Sequence, residues 1–259
     1  MIPVYIGYDP REHEAWRVCV ASIARRSPET PIRTLRLSAL RDAGLYTRET
    51  FLTETSRIDA IDRKPFSTEF SFSRFLVPAL SLYEGWAIFC DCDFLFTAPL
   101  DALFELADDR YAAMCVKHQH DPIETVKMDG VAQTRYRRKN WSSLVLWNCE
   151  HPANRHLTVQ CVNRMPGRWL HAFEWLSDDL SGELPLSWNW LSGVNEPLPN
   201  GEVPCGVHYT LGGPWFPNCQ DVPLADLWRA ERDSRRMPGY GALPSERERA
   251  LNSSERCLA

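Results

Sequence analysis

An acidic pair, Asp91-Cys92-Asp93, directly follows the apolar run Trp86-Ala87-Ile88-Phe89-Cys90. Such a run reads as a buried strand. If strand alternation persists through it, both carboxylates lie on one face and Cys90 and Cys92 on the other. Two converging carboxylates in apolar surroundings repel, and one protonates unless a cation sits between them. Oxygen ligands of this sort suit a hard or borderline divalent ion such as Mg²⁺ or Mn²⁺. The tripeptide is short, however, and also fits a strand that has reached the surface, with its carboxylates capping the next turn. The second candidate is His208, in Cys205-Gly206-Val207-His208-Tyr209-Thr210-Leu211-Gly212-Gly213-Pro214-Trp215. A histidine that leaves a short strand into a Gly-Gly-Pro turn is held rigidly beside backbone amides able to bind phosphate. Alone it reads as a structural histidine at a turn; taken together with the acidic pair, the functional reading gains weight.

Other clusters point to less. Nine cysteines, at positions 19, 90, 92, 115, 149, 161, 205, 219 and 257, are odd in number and scattered, with no Cys-x-x-Cys. Neither a disulfide framework nor a zinc ribbon is expected, and a reducing cytoplasm is the expected home. Cys90, Cys92, His118 and His120 invite a zinc reading, but alternate strand positions place such cysteines in the core. Arg135, Arg137, Arg138 and Lys139 form a basic run that serves equally as a phosphate contact or as a solvated face.

The elements that must position these residues alternate. Pro3 to Gly7 is a strand, and the stretch to Arg26 puts Ala15, Val18, Cys19, Ser22 and Ile23 on one helical face, with Asp9 as cap and Pro10 in the first position. Ile32 to Leu37 is a strand. Phe70 to Tyr83 is a helix perturbed by Pro78, and Tyr111 to Val116 and Ser142 to Trp147 are further strands. Ala153 to Asn163 is a helix. This order predicts an α/β fold with a mostly parallel mixed sheet flanked by helices. Beyond Pro166 proline and glycine become frequent, and eight of the ten tryptophans lie between Trp141 and Trp228, so an irregular Trp-rich C-terminal lobe is expected. No Ser/Gly linker divides the chain. A single domain over residues 1–228, followed by a charged tail over 229–259, is the expected organisation.

The chain has 259 residues, of which 44% are hydrophobic, and 29 Lys and Arg against 34 Asp and Glu give a net charge of −5. That balance argues against a nucleic-acid partner. The start carries Asp9 before its first basic residue and lacks the long apolar stretch of a signal peptide. No segment approaches the roughly 18 apolar residues of a membrane span, so any membrane contact is expected to be peripheral.

Taken in order, the strand ending in Gly7-Tyr8-Asp9, Ser73-Arg74-Phe75 before the acidic strand, Asp91-Cys92-Asp93, Leu184-Pro185 followed by Trp188-Asn189, and His208 through Trp215 resemble family 8 of the glycosyltransferases, the glycogenin-like retaining enzymes of GT-A fold. The resemblance covers roughly residues 1 to 216. It implies that Asp93 and His208 ligate Mn²⁺, or Mg²⁺ in its place, and that Asp91 approaches the donor sugar and also touches the metal. It further implies that Gly7, Tyr8 and Asp9 hold the nucleoside base, that Arg74 reaches the donor, and that Gly212 and Trp215 border the diphosphate. The donor is then a nucleoside-diphosphate sugar, a UDP-sugar first, and the acceptor a glycan, lipid or protein. A divalent ion between the two phosphates stabilises the charge that builds on the leaving oxygen.

Departures from the family pattern are specific. Gly213 stands where the family has lysine before Pro-Trp, Gly212 lies four residues after His208 instead of three, and Asn140-Trp141-Ser142-Ser143 replaces Asn-Ser-Gly. The family's Asp-Gln-Asp segment is not recognisable. Among the acidic residues of that stretch, Glu174, between Phe173 and Trp175, is the expected reaction-centre residue because its neighbours are apolar. Asn189 is placed beside the reacting groups. Retention by front-face attack, which needs no protein nucleophile, and double displacement both remain open. So do two other functions: a non-catalytic nucleotide- or sugar-binding protein on a degenerate GT-A fold, and a sugar nucleotidyltransferase, whose Gly-rich signature is missing after the first strand.

Overall fold

The computed structural model describes residues 2–53, 56–119, 138 and 140–234. Its central sheet has six strands, in the spatial order Ser181–Glu183, Ala113–Cys115, Leu144–Asn148, Trp86–Cys90, Val4–Gly7 and Ile32–Leu35. Five run in one direction, and Leu144–Asn148 alone runs against its neighbours. Helices cover the sheet, so its central strands are apolar throughout instead of alternating; Val4, Ile6, Ile88, Phe89, Val145 and Leu146 are all buried. This is the expected α/β architecture.

The first helix, His13–Arg26, is entered through a 3-10 turn at Pro10–Glu12. Asp9 caps that turn by accepting from the Arg11 N–H at 3.0 Å, and Pro10 occupies its first position, where its missing N–H costs nothing. All five residues of the expected apolar face are buried. Two other expected helices are broken. Phe70 to Tyr83 becomes a 3-10 turn at Ser73–Leu76 running into one helical turn at Val77–Leu80. Pro78 is tolerated because it falls in the first turn of that piece, whereas in a continuous helix its ring would meet the Arg74 carbonyl. Ala153 to Asn163 splits into Pro152–His156 and Val159–Arg164, the second capped by the Thr158 hydroxyl. The break turns Asn154 inward, where its amide donates to the carbonyls of Ala112 at 2.7 Å and Asn148 at 2.8 Å.

The C-terminal lobe is irregular, as its composition predicts, but it is stitched into the rest. Ser181–Glu183 extends the main sheet. Trp190–Leu191 and Gly206–His208 form a second, three-stranded sheet whose other member is Phe94–Phe96, immediately after the acidic pair. Trp147, Trp188, Trp190 and Trp228 are core residues. The half-buried Trp169 and Trp175 pack with the buried Phe75, Phe173 and Trp147. The helix Ala225–Ser234 crosses the expected boundary at 228. It docks on the first helix through Glu231, which pairs with Arg25 at 3.1 Å and Arg26 at 3.0 Å. The rest of the expected tail, 235–259, lies outside the described residues, as do His120, Arg135, Arg137 and Lys139. No helix among the described residues is long and apolar enough to cross a membrane.

Candidate functional site

Asp91, Asp93 and His208 each offer one ligand atom, and these atoms lie within 4.8 Å of one another. The topology brings them together. The Trp86–Cys90 strand delivers the acidic pair at its carboxyl end, and the chain then enters Phe94–Phe96, where Phe94 registers with His208. The Tyr209 N–H donates to the Asp93 carbonyl at 3.1 Å, and the His208 ring stacks on Phe94 with centroids 4.5 Å apart. The carboxylates share the site, while Cys90 and Cys92 point into the core, as the alternation predicts. Burial pushes both thiols well above the ordinary range, and among the described residues the one cluster able to hold a metal, Asp91, Asp93 and His208, does not include them.

The histidine is oriented from behind. Its Nδ1 meets the Asn189 Oδ1 at 3.0 Å, and the Asn189 amide nitrogen donates to the Ser143 Oγ at 2.9 Å, which donates to the Asn140 carbonyl at 2.7 Å. With Nδ1 as donor, the lone pair on Nε2 faces the Asp93 Oδ1 across 3.4 Å. In that tautomer the pair can accommodate a cation, so the donor set fits a divalent ion bound by two carboxylate oxygens and one imidazole nitrogen. Asn189 thus serves as a positioning residue. Asn189→Leu is expected to weaken divalent-ion affinity by roughly 10- to 100-fold, the usual scale for losing the partner of a ligating histidine, as read by calorimetric titration with Mn²⁺.

Arg74 sits behind Asp91. One guanidinium nitrogen lies 2.7 Å from the Asp91 Oδ1 and donates to the Ser142 carbonyl at 2.9 Å, while the Asp91 N–H donates to the Ser143 carbonyl at 2.9 Å. This arginine therefore holds Asp91 against the Trp141–Ser143 turn, where the sequence pattern assigns it to the donor.

At the end of the first strand Ile6 registers with Cys90, so Gly7 and Asp91 leave the sheet as neighbours. Phe70 packs so closely on Gly7 that a Cβ there would lie 2.4 Å from its ring. The Tyr8 hydroxyl meets the His13 Nδ1 at 3.1 Å, and the Arg36 guanidinium covers its ring at 3.9 Å. Asp9 is fully buried and committed to structure: it accepts from the Arg11 side chain at 3.0 and 3.1 Å, from Arg57 at 3.3 Å and from the Glu69 N–H at 3.1 Å. Burial alone would raise its carboxyl, but the hydrogen bonds and charge of Arg11, helped by Arg57, bring it below the ordinary value. A carboxyl lowered in the folded state contributes stability that is full above the unfolded value of about 3.9 and is lost as pH falls through the lower folded value. Asp9→Asn is expected to lower the urea midpoint at about pH 7, with the difference from the parent shrinking below about pH 4.

The Gly-Gly-Pro turn explains the missing lysine. A Cβ on Gly213 would lie 2.1 Å from the Trp215 ring, so no side chain fits there without displacing the tryptophan. Trp215 itself packs against Tyr209 and Trp228, in a small second core. Gly212 supplies a backbone φ of +120° and donates its N–H to the Tyr209 carbonyl at 2.8 Å. Gly213→Lys is expected to destabilise by roughly 1–3 kcal/mol, the scale of overpacking, and to shift tryptophan fluorescence. Glu174 does not meet its expectation. It is exposed beside a cluster of buried aromatics, because Phe173 and Leu176 turn inward and leave it on the outer face.

The sequence marks Asn140 only as part of a departure from the Asn-Ser-Gly pattern; its φ of +65° opens the Trp141–Ser143 turn and its carbonyl anchors the Ser143–Asn189–His208 chain. The signal for that backbone is the residue type, since asparagine tolerates the left-handed region.

No protein-family model matches the sequence. Among solved structures, the glycosyltransferase GlyE of Streptococcus pneumoniae TIGR4 aligns with a TM-score of 0.57 at 14% identity, over 90% of this chain and 61% of that one. The galactosyltransferase LgtC, in complex with donor and acceptor sugar analogues, aligns with a TM-score of 0.55 at 13% identity, over 95% and 98%. The bifunctional glycosyltransferase WbbM aligns with a TM-score of 0.54 at 15% identity, over 100% of this chain and 52% of that one. The chain thus spans about three-fifths of GlyE and half of WbbM, and these likenesses give it the GT-A glycosyltransferase fold. At the level of sequence, Protein CDI of Arabidopsis thaliana is 48% identical over 233 residues, 89% of this chain and 85% of that protein. This chain belongs to the family of Protein CDI.

Proposed function

We propose that this protein is a metal-dependent glycosyltransferase of the retaining, family 8-like kind, transferring a sugar from a nucleoside-diphosphate sugar, a UDP-sugar first, to a hydroxyl of a glycan, lipid or protein in the cytoplasm. The observation that carries the reading is the Asp91, Asp93 and His208 cluster, with ligand atoms within 4.8 Å, at the carboxyl end of a sheet strand. When bound, a divalent ion such as Mn²⁺ or Mg²⁺ supplies charge against the departing diphosphate. The chain's own residues do the rest. Arg74 fixes Asp91, Asn189 fixes His208, and the second sheet fixes Asp93 relative to both. Such preorganisation lets a site stabilise developing charge without rearranging during the reaction. Front-face attack, with the leaving phosphate taking the acceptor's proton, is the mechanism that agrees with an exposed Glu174.

A thermal-shift screen against UDP, GDP, CDP and ADP, each with Mn²⁺, Mg²⁺ or EDTA, tests the donor site. At a hundred times the dissociation constant, binding stabilises by about 2.7 kcal/mol, a shift of roughly 5–10 °C for a chain of this size. One nucleotide giving a shift that EDTA abolishes is the expected result; no shift with any pair overturns the reading. A second reading, a nucleotide binder without turnover, is favoured by Gly213, since the Trp215 ring fills the space a diphosphate-binding lysine would need. It predicts the same EDTA-sensitive shift with no sugar transfer and no slow hydrolysis of the donor.

A further inference from the structure

Trp141, in the turn whose carbonyls hold Arg74 and Asp91, lines a cavity of about 280 Å³ completed by Lys117, His118, Arg138, Asp178 and Ser181. Among the described residues that line it, two cations, Lys117 and Arg138, face one carboxylate, Asp178. The Lys117 ammonium donates to the Ser181 carbonyl at 2.7 Å and lies 5.7 Å from the Trp141 ring centre, with no carboxylate partner among the described residues. Arg138 lies 5.1 Å from the same ring and donates to the Ala172 carbonyl at 2.8 Å. Its side chain is 8% exposed, yet the carboxylate it pairs with, on Asp178, is 77% exposed and so screened by water. The Ser181 hydroxyl is buried without a hydrogen-bond partner among the described residues. The Trp141 indole nitrogen donates to the His118 carbonyl at 3.0 Å, which fixes the ring as a wall.

Two cations, one aromatic wall and a hydroxyl suit a pyranose that carries a negative group. The sugar's apolar C–H edge packs beside Trp141, whose face lies under both cations, and a carboxylate or phosphate takes charge-assisted hydrogen bonds from Lys117 and Arg138. We propose that this cavity binds a sugar unit bearing a carboxylate or phosphate, next to the diphosphate held at Asp91, Asp93 and His208. The inference deepens the glycosyltransferase reading and rests on it. The acidic sugar is either the donor's own or part of the acceptor.

Calorimetric titration of the full chain with Mn²⁺ separates these sources. The donor arm compares UDP-glucuronate with UDP-glucose and GDP-mannuronate with GDP-mannose. The acceptor arm compares glucuronate and glucose 6-phosphate with glucose on protein saturated with Mn²⁺ and its preferred nucleoside diphosphate. In one arm an acidic compound is expected to bind at least about tenfold more tightly than its neutral counterpart, the scale of one charge-assisted bond. Lys117→Met should abolish that preference while leaving affinity for the bare nucleotide unchanged, and Lys117→Arg should keep it. Bare nucleotides binding normally with no acidic preference in either arm, or a preference that survives Lys117→Met, would overturn this inference alone. Bare nucleotides failing to bind with any metal would overturn the glycosyltransferase reading, and this inference with it.

Discussion

Asp93→Asn is expected to abolish divalent-dependent nucleotide binding and to lower sugar transfer at least about 10²-fold, the scale of losing one strong electrostatic stabiliser. The substitution keeps the shape of the side chain but removes its charge. Asp93 is nearly buried, its Oδ1 faces the His208 Nε2 at 3.4 Å, and Asp91 shares the same small volume. An amide there can donate to the imidazole, so the variant should unfold at or above the parent's temperature when both are measured in EDTA. That pairing of outcomes distinguishes a ligand from a structural residue: metal response lost, intrinsic stability kept. An Asp93→Asn protein whose rate and metal dependence match the parent's would sink the metal assignment.

The second large effect is on folding. Asp59→Ala is expected to cost about 3–5 kcal/mol, because truncating one partner of a buried pair strands the other charge. Arg48 and Asp59 have side chains 0% and 1% exposed, joined by two parallel hydrogen bonds of 2.6 and 2.7 Å. Arg48 also donates to the carbonyls of Val162 at 3.0 Å and Met165 at 2.7 Å, and its guanidinium lies 4.1 Å from the centre of the Phe72 ring. The pair therefore ties the small antiparallel sheet of Thr50–Leu52, Arg57–Asp59 and Pro65–Phe66 to the helix Val159–Arg164. Urea unfolding should show the loss directly. Asp108→Ala, which breaks an exposed pair with Arg110, is the control expected to leave the midpoint unchanged.

The residues that could be read from sequence are those whose signal is local. Asp91 and Asp93 announce themselves by interrupting an apolar strand, and Asp9 with Pro10 announces a helix start, because each depends on neighbours within a few positions. His208 needed the order of motifs along the chain, since no short-range pattern ties it to an acidic pair more than a hundred residues earlier. The misread helices failed for a tertiary reason. Asn154 is drawn inward by carbonyls on two other segments, and Pro78 marks a helix start or a helix break depending on where the helix begins. Glu174 misled because apolar sequence neighbours do not imply an apolar environment: Phe173 and Leu176 face inward while the residue between them and Trp175 faces out. The structural roles of Arg74 and Asn140 were illegible because Arg74 contacts the backbone of a distant turn and Asn140 acts through its backbone, opening that turn and anchoring Ser143.

The second sheet, in which Gly206–His208 pairs with Phe94–Phe96, bears on how the protein is made. His208 follows Asp93 by 115 residues, so at ribosomal speeds of about 5–20 residues per second His208 emerges roughly 6 to 23 seconds after Asp93. During that interval the nascent chain carries its acidic pair without the imidazole that completes the set. On the proposed metal assignment, an ion that needs all three groups would add stability only once the last strands have docked.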